Sequence, residues 1–278
     1  MAEITTAMVK ELREATGAGI LESRNALKEA EGEFDKAVQI LRERGLAKAS
    51  KKQDRTANQG VVFAHLEKED TVGAMIELNC ETDFVARTDR FQALAEQLAK
   101  LAVDREIDTA DALLAEQVDG RSVKDLLTDA IATIGENIQL RRVARFAATN
   151  GDYITSYIHG GGRIGVMLEI GSASPEVAHV LTLQIAASSP RWVTAEDVSA
   201  EVVDSERNIY LAQMADEKKP DNIKAKIVEG KVEKFLDEVV LLRQPYVKDP
   251  TKSVQQLLDE EEVPVQVRRF ARFELGAE

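Results

Sequence analysis

The chain has 278 residues, 44% hydrophobic and 31% charged, with a formal net charge of -13 and a pI of about 4.9. That length and composition give two or three folded domains with real cores and exclude a disordered chain, and the negative field works against direct nucleic-acid binding. The single Cys80 rules out an internal disulfide; no signal pattern opens the chain, and no apolar run approaches the roughly 20 residues of a bilayer span, so a cytoplasmic protein with no membrane partner is expected.

Residues 4 to 45 read as three short helices. Thr5 or Thr6 can cap the first, which carries Val9, Leu12 and Ala15 at helical spacing. The run Thr16-Gly17-Ala18-Gly19 breaks it, because glycine tolerates tight-turn backbone angles. The second helix carries Ile20, Leu27 and Ala30 and stops near Gly32; the third carries Phe34, Ala37, Val38 and Leu41 and is expected to end at Gly45. Residues 1–50 are thus expected to form a three-helix bundle. From Leu46 to Gly60, Lys48, Lys51, Lys52 and Arg55 among small and polar residues predict a solvated linker, with residues 51–59 outside either neighbour.

An internal repeat follows. Gly73-Ala-Met-Ile-Glu-Leu78 matches Gly165-Val-Met-Leu-Glu-Ile170 in character at every position. A strand-like stretch precedes each (61–66 and 153–159) and a helical one follows each (91–103 and 175–187). Two copies of hairpin plus helix predict an α+β fold with two repeated core subdomains, at about 60–145 and 146–278. Helices are expected at 110–117 and 123–134. Between about 199 and 240, two apolar-striped segments flank Lys218-Lys219-Pro220-Asp221-Asn222, which predicts an antiparallel helical hairpin that protrudes from the second subdomain. Residues 263–275 alternate as a closing strand.

Searches for catalytic and metal constellations fail, and no enzymatic residue, metal site or cofactor is expected. His65, His159 and His179 have no short ligand spacing, and Cys80 has no CxxC partner, reading as a buried strand cysteine. No P-loop pattern occurs. Gly160-x-Gly162-x-x-Gly165 satisfies the dinucleotide motif, but strand-like residues follow where the chemistry needs a helix N-terminus. The glycines therefore read as a hairpin turn, and no nucleotide is expected to bind this chain.

Thr82-Asp83-Phe84-Val85-Ala86-Arg87 is unusual, since a loop between strand and helix is normally small and polar. Phe84 either folds back onto the subdomain core or is presented to a partner as an aromatic anchor. Ile20 and Leu21 pose a similar question. Neighbours on a helix lie roughly 100° apart, so one of the two is expected to be exposed.

Met1-Ala-Glu-Ile-Thr, Val9-Lys-Glu-Leu-Arg13, Thr16-Gly-Ala-Gly19, Asn79-Cys-Glu-Thr-Asp-Phe-Val-Ala86, Ile134-Gly-Glu-Asn-Ile138 and Ile185-Ala-Ala-Ser188 together resemble the bacterial elongation factor Ts family. The resemblance implies a guanine-nucleotide exchange factor whose partner is elongation factor Tu. It implies that the bundle, similar to ubiquitin-associated domains, grips the partner through Arg13, Ile20 and Leu21. It assigns magnesium dislocation in the partner to Thr82, Asp83, Phe84 and Val85, and a further contact to His159, although the glycine-rich turn after His159 departs from the expected form. It also implies a C-terminal helix after residues 269–275; the chain stops at Glu278, so a weaker complex is expected. The rival readings are a helix-binding scaffold that needs only the bundle, and a nucleotide enzyme using the glycines at 160–165.

Overall fold

The computed structural model describes residues 4–215 and 217–277; Met1 to Glu3 and the side chains of Leu46 and Lys48 lie outside the described residues. Helix α1 (Thr6–Thr16) begins at Thr5, whose hydroxyl accepts from Met8 N at 3.3 Å, and ends at Gly17, where φ of 67° lets the N–H reach Arg13 O. Helices α2 (Ile20–Glu29) and α3 (Phe34–Ser50) fold against it. Val9, Leu12, Ala26, Leu27, Ala30 and Ala37 form the shared core.

One expectation fails here. Helix α3 does not stop at Gly45 but runs on to Ser50. Gly45 serves close packing instead: a Cβ there would stand 3.0 Å from Ala132 Cβ on a later helix. Residues 51–58 carry no helix or strand and most of them are exposed, but they are tied to residues just after a later helix. Lys52 Nζ donates to Gly135 O at 2.5 Å, and Asn137 Nδ2 donates to the carbonyls of Gln53 (3.1 Å) and Arg55 (2.7 Å).

Next come β1 (Gln59–Glu67), β2 (Val72–Cys80), α4 (Asp83–Ala86), α5 (Asp89–Asp104) and α6 (Ala110–Ala115). The short pair β3 (Gln117–Val118) and β4 (Arg121–Ser122) takes the end of the helix expected at 110–117. Helix α7 (Val123–Ile134) is the one Gly45 packs against, and β5 (Gln139–Ala147) closes a sheet of order β1-β2-β5. As the central strand, β2 buries every residue along its length, which explains its near-continuous apolar run.

A second sheet, of order β6-β7-β10, is built from β6 (Tyr153–His159), β7 (Ile164–Gly171) and a strand near the end of the chain. β6 and β7 pair antiparallel with His159 opposite Ile164, so the glycines at 160–162 make the hairpin turn, and no helix follows them. Helix α8 (Pro175–Ser188) covers this sheet through Ala178, Leu181 and Ile185. Helices α9 (Ala200–Gln213) and α10 (Asp221–Val239) fold back on one another, with Arg207 Nε donating to Glu229 Oε1 at 2.8 Å. Val232, Phe235 and Leu236 pack with Val202, Val203 and Trp192 at the hairpin's base. The strands β8 (Pro245–Tyr246) and β9 (Asp249–Ser253), the helix α11 (Val254–Leu258) and β10 (Gln266–Glu274) complete the chain.

The fold is α+β. Its compact units are the chain through Phe63 with Met75–Ala144 and the residues from Leu275, and Ala64–Ala74 with Arg145–Glu274. The internal repeat goes further than the strand pair that first shows it. β5 reads Gln139-Leu-Arg-Arg-Val-Ala-Arg-Phe-Ala147, and β10 reads Gln266-Val-Arg-Arg-Phe-Ala-Arg-Phe-Glu274. Both lie beside the central strand of their sheet, and they do the same work there. Arg142 Nε donates to Glu77 Oε2 on β2 at 2.6 Å, and Arg269 Nε donates to Glu169 Oε2 on β7 at 2.6 Å. Glu77 and Glu169 occupy the same position of the repeat, so each central strand carries one buried carboxylate answered by the matching arginine of the neighbouring strand, and Arg141 Nη1 also stands 4.0 Å from Glu77 Oε1.

Candidate partner-binding site

Strand β2 delivers the chain into the Thr82–Arg87 segment through Cys80, whose buried thiol donates to Thr82 O at 3.1 Å. The Thr82 hydroxyl accepts from Val85 N at 3.3 Å and so caps the single turn of α4. The same hydroxyl donates to Glu136 Oε1 at 2.7 Å. The other oxygen of that carboxylate accepts from the backbone N–H groups of Glu81 (3.1 Å) and Thr82 (3.0 Å). The exchange is returned, because Asn137 N donates to Glu81 Oε1 at 2.8 Å, and the Arg55 guanidinium stands 3.5 Å from that oxygen.

The turn itself shows where the ring goes. Ala86 is the buried residue of the turn. Phe84, two residues earlier and roughly 200° round a helix, must face the other way. It does, with 80% of its surface exposed. The alternative in which Phe84 folds back onto the core is thereby overturned. Asp83 and Arg87 flank it as an ion pair at 3.2 Å, both exposed, while Val85 is half-buried.

Ile20 and Leu21 are both exposed, at 62% and 69%, where only one was expected to be. They are the first two residues of α2, just past Gly19, and the helix buries only Ser23, Ala26 and Leu27 further along. Arg13 is exposed on α1. The turn before Ile20 lies next to the start of α5. A Cβ on Gly17 would stand 3.3 Å from Arg90 Nη1 and 3.1 Å from Thr133 Cγ2. His159 belongs to the second unit, exposed at the end of β6, with Nδ1 2.9 Å from the Tyr157 hydroxyl.

Glu136 and Asn137 were not foreseen as site residues, although Thr82, which Glu136 holds, was. Their one signal in the sequence is the run Gly135-Glu136-Asn137 after an apolar helix; Gly135 turns the chain with φ of 91° at the end of α7, and the two polar residues then reach the Phe84 segment. Among the described residues no group of three or more His, Cys, Asp or Glu could hold a metal ion, and no described helix is long and apolar enough to cross a membrane.

The Cys80 thiol is pushed up to about 12, first by burial and then by the Glu136 carboxylate nearby. A raised thiol pKa favours the folded state fully below the unfolded value of 9.0, and that contribution is lost as pH rises through about 12. Cys80 is expected to stay unreacted with an aromatic disulfide reagent at pH 8 until the protein is unfolded. Stoichiometric labelling of the native protein would show that the strand end opens readily.

A sequence profile described as Elongation factor TS matches residues 81–277. Full-length similarity is also high. The chain is 45% identical over 283 residues to an elongation factor Ts of Clostridium perfringens, spanning 98% of this chain and 93% of that protein. It is 43% identical to one from Halorhodospira halophila (98% and 92% covered) and 44% identical to one from Aquifex aeolicus (96% and 96% covered). These relatives are bacterial elongation factors of protein synthesis, which sets the class of an α+β chain presenting apolar side chains. The chain belongs to the elongation factor Ts family.

Proposed function

We propose that this protein is a non-enzymatic guanine-nucleotide exchange factor that acts in the cytoplasm on elongation factor Tu. One observation carries the reading: an exposed phenylalanine, Phe84, held on a turn that hydrogen bonds tie down at Thr82. A free aromatic on a rigid mount suits insertion into a partner, because little conformational entropy is lost when it docks.

In this reading Thr82, Asp83, Phe84 and Val85 form the element that dislocates magnesium in the partner. Magnesium demands near-ideal octahedral geometry at about 2.0–2.1 Å, so a shift of the supporting backbone by about 1 Å weakens its hold on the nucleotide phosphates. Arg13, Ile20 and Leu21 of the bundle at residues 1–50 grip the partner, and His159 adds a contact from the second unit. Linkage works in both directions: whatever the factor takes from nucleotide affinity, returning nucleotide takes from the factor's affinity, so GTP displaces it. The chain itself binds neither nucleotide nor nucleic acid in this scheme.

The test is release of a fluorescent GDP from elongation factor Tu, chased with unlabelled nucleotide, with and without the protein. Strong acceleration at micromolar concentration is expected, and its absence would sink the reading. The grip has its own test. Replacing Ile20 and Leu21 together by alanine should raise the half-saturating concentration by about tenfold or more, the scale of a lost interface anchor. The rate at saturation should hardly change, since neither side chain reaches the magnesium site in this scheme. A fall in the saturating rate at unchanged affinity would remove the pair from the grip.

A further inference from the structure

We infer that Glu136 is the positioning residue of the exchange site, setting the aim of Phe84 through three hydrogen bonds to the segment that carries it. The inference rests on the exchange reading above. Its carboxylate takes the N–H groups of Glu81 and Thr82 on one oxygen and the Thr82 hydroxyl on the other. The Thr82 hydroxyl is also the cap that holds α4 in its single turn, through Val85 N. Glu136 therefore bonds to the residue from which the orientation of Phe84 is set, two positions before the ring. Hydrogen bonds to a charged acceptor are stronger than neutral ones, and a carboxylate has lone pairs enough to accept all three at once.

The supports of Glu136 are themselves fixed. It follows Gly135, whose N–H closes on Ile131 O at the end of α7 and whose carbonyl accepts from Lys52 Nζ. Asn137 on its other side is tied to the carbonyls of Gln53 and Arg55, and its own N–H is held by Glu81. The mount of Phe84 is thus referenced to the end of α7 and to the segment after α3, not to the strand alone. The second copy of the repeat lacks an aromatic at the matching place, Ala173-Ser174-Pro175, and there Ser174 caps α8 through Val177 N. There the distant support among the described residues is the Tyr153 hydroxyl, 3.2 Å from the Ala173 and Ser174 carbonyls, and not a carboxylate.

If Glu136 only aids folding, its loss should lower stability and leave the behaviour of the folded fraction intact. If it aims Phe84, its loss should act through Phe84. The experiment measures stimulated GDP release by the full chain as a function of concentration for Glu136→Ala, Glu136→Gln, Phe84→Ala and the Glu136→Ala/Phe84→Ala pair. Glu136→Ala is expected to cut the saturating rate on the order of tenfold, the scale of a small misplacement of a working group. The half-saturating concentration should stay within about threefold, because the bundle contacts are untouched. The double variant should be no slower than Phe84→Ala alone. Glu136→Gln, which keeps a neutral acceptor, should fall between wild type and alanine.

Amide hydrogen exchange gives a readout that a global effect would not produce. Peptides covering residues 81–88 should lose protection on the order of tenfold in Glu136→Ala while those from α8 and β7 do not change. A wild-type saturating rate in Glu136→Ala, or losses that multiply in the double variant, overturns the inference while leaving the exchange reading standing. If wild type itself fails to accelerate release, the exchange reading falls, and the hydrogen-exchange arm still reports whether Glu136 orders the turn. Should Glu136→Ala fail to fold, Glu136→Gln decides: a rate and a protection pattern equal to wild type overturn the proposal.

Discussion

Phe84→Ala is expected to slow stimulated GDP release by about tenfold or more at saturating factor, the cost of removing a central aromatic anchor. The ring contributes almost nothing to the fold, since 80% of its surface is already in water. The variant should therefore match wild type in thermal midpoint and in hydrogen exchange across β2 and α5. That combination separates a functional aromatic from a core one, because truncating a buried phenylalanine costs about 3–5 kcal/mol of stability. Phe91, fully buried at the start of the next helix, supplies the contrast: Phe91→Ala should destabilise on that scale. A Phe84→Ala chain that exchanges nucleotide at the wild-type rate would return the apolar turn to the status of an accident of sequence.

The second large effect concerns the repeated carboxylate and arginine. Glu77 has no exposed surface, and its partners include Arg142, Asn79 Nδ2 at 3.0 Å, the N–H of Gly276 at 2.9 Å and, at 4.0 Å, the Arg141 guanidinium. Arg142→Ala removes the arginine that faces Glu77 across the sheet, and is expected to cost about 3 kcal/mol, the scale of a broken buried pair. Much of that cost is a buried charge left with only the partly exposed Arg141, 4.0 Å away, to answer it. Glu77→Gln combined with Arg142→Leu should recover a good part of it, because the neutral amide still serves Gly276 and no charge is left behind. The check is urea unfolding of the three proteins. A double variant as unstable as Arg142→Ala would mean that the arginine works through packing, not charge. In the other sheet Arg269 also stacks 4.3 Å over the Phe146 ring, so Arg269→Ala mixes the two effects.

The sequence revealed the parts whose signal is local. The central strands announce themselves by apolar runs, and α7 is found at the bounds that its helical spacing indicates. The glycines at 160–162 are legible because a strand, not a helix, follows them. What stayed hidden depends on residues far apart in the chain. β5 carries Arg141, Arg142 and Arg145 and reads as polar until the carboxylate that answers Arg142 is known. Its likeness to β10 is masked because the inserts differ: α6, the β3–β4 pair and α7 in one copy, and the α9–α10 hairpin with the β8–β9 pair and α11 in the other. Gly45 looks like a helix stop, and only the approach of α7 shows why a side chain is unwelcome there. In the candidate site, Phe84 stood out as an apolar residue in a polar loop, but its direction was open. That direction follows from the turn, which Glu136, 52 residues on from Phe84 in number, holds at Thr82.

The position of β10 in its sheet bears on how the protein is made. Arg269 meets Glu169 across 100 residues of chain, and the N–H of Gly276 meets Glu77 across 199. Neither buried carboxylate has its full set of partners until those late residues have emerged from the ribosome. Loop closure over such spans is slow, and a half-made sheet offers an unpaired edge to its neighbours. A nascent chain of this kind has β1, β2 and β5 in hand once residue 147 is out, with Glu77 still waiting for Gly276, while a stall before residue 266 leaves β7 with an open edge and Glu169 without its arginine.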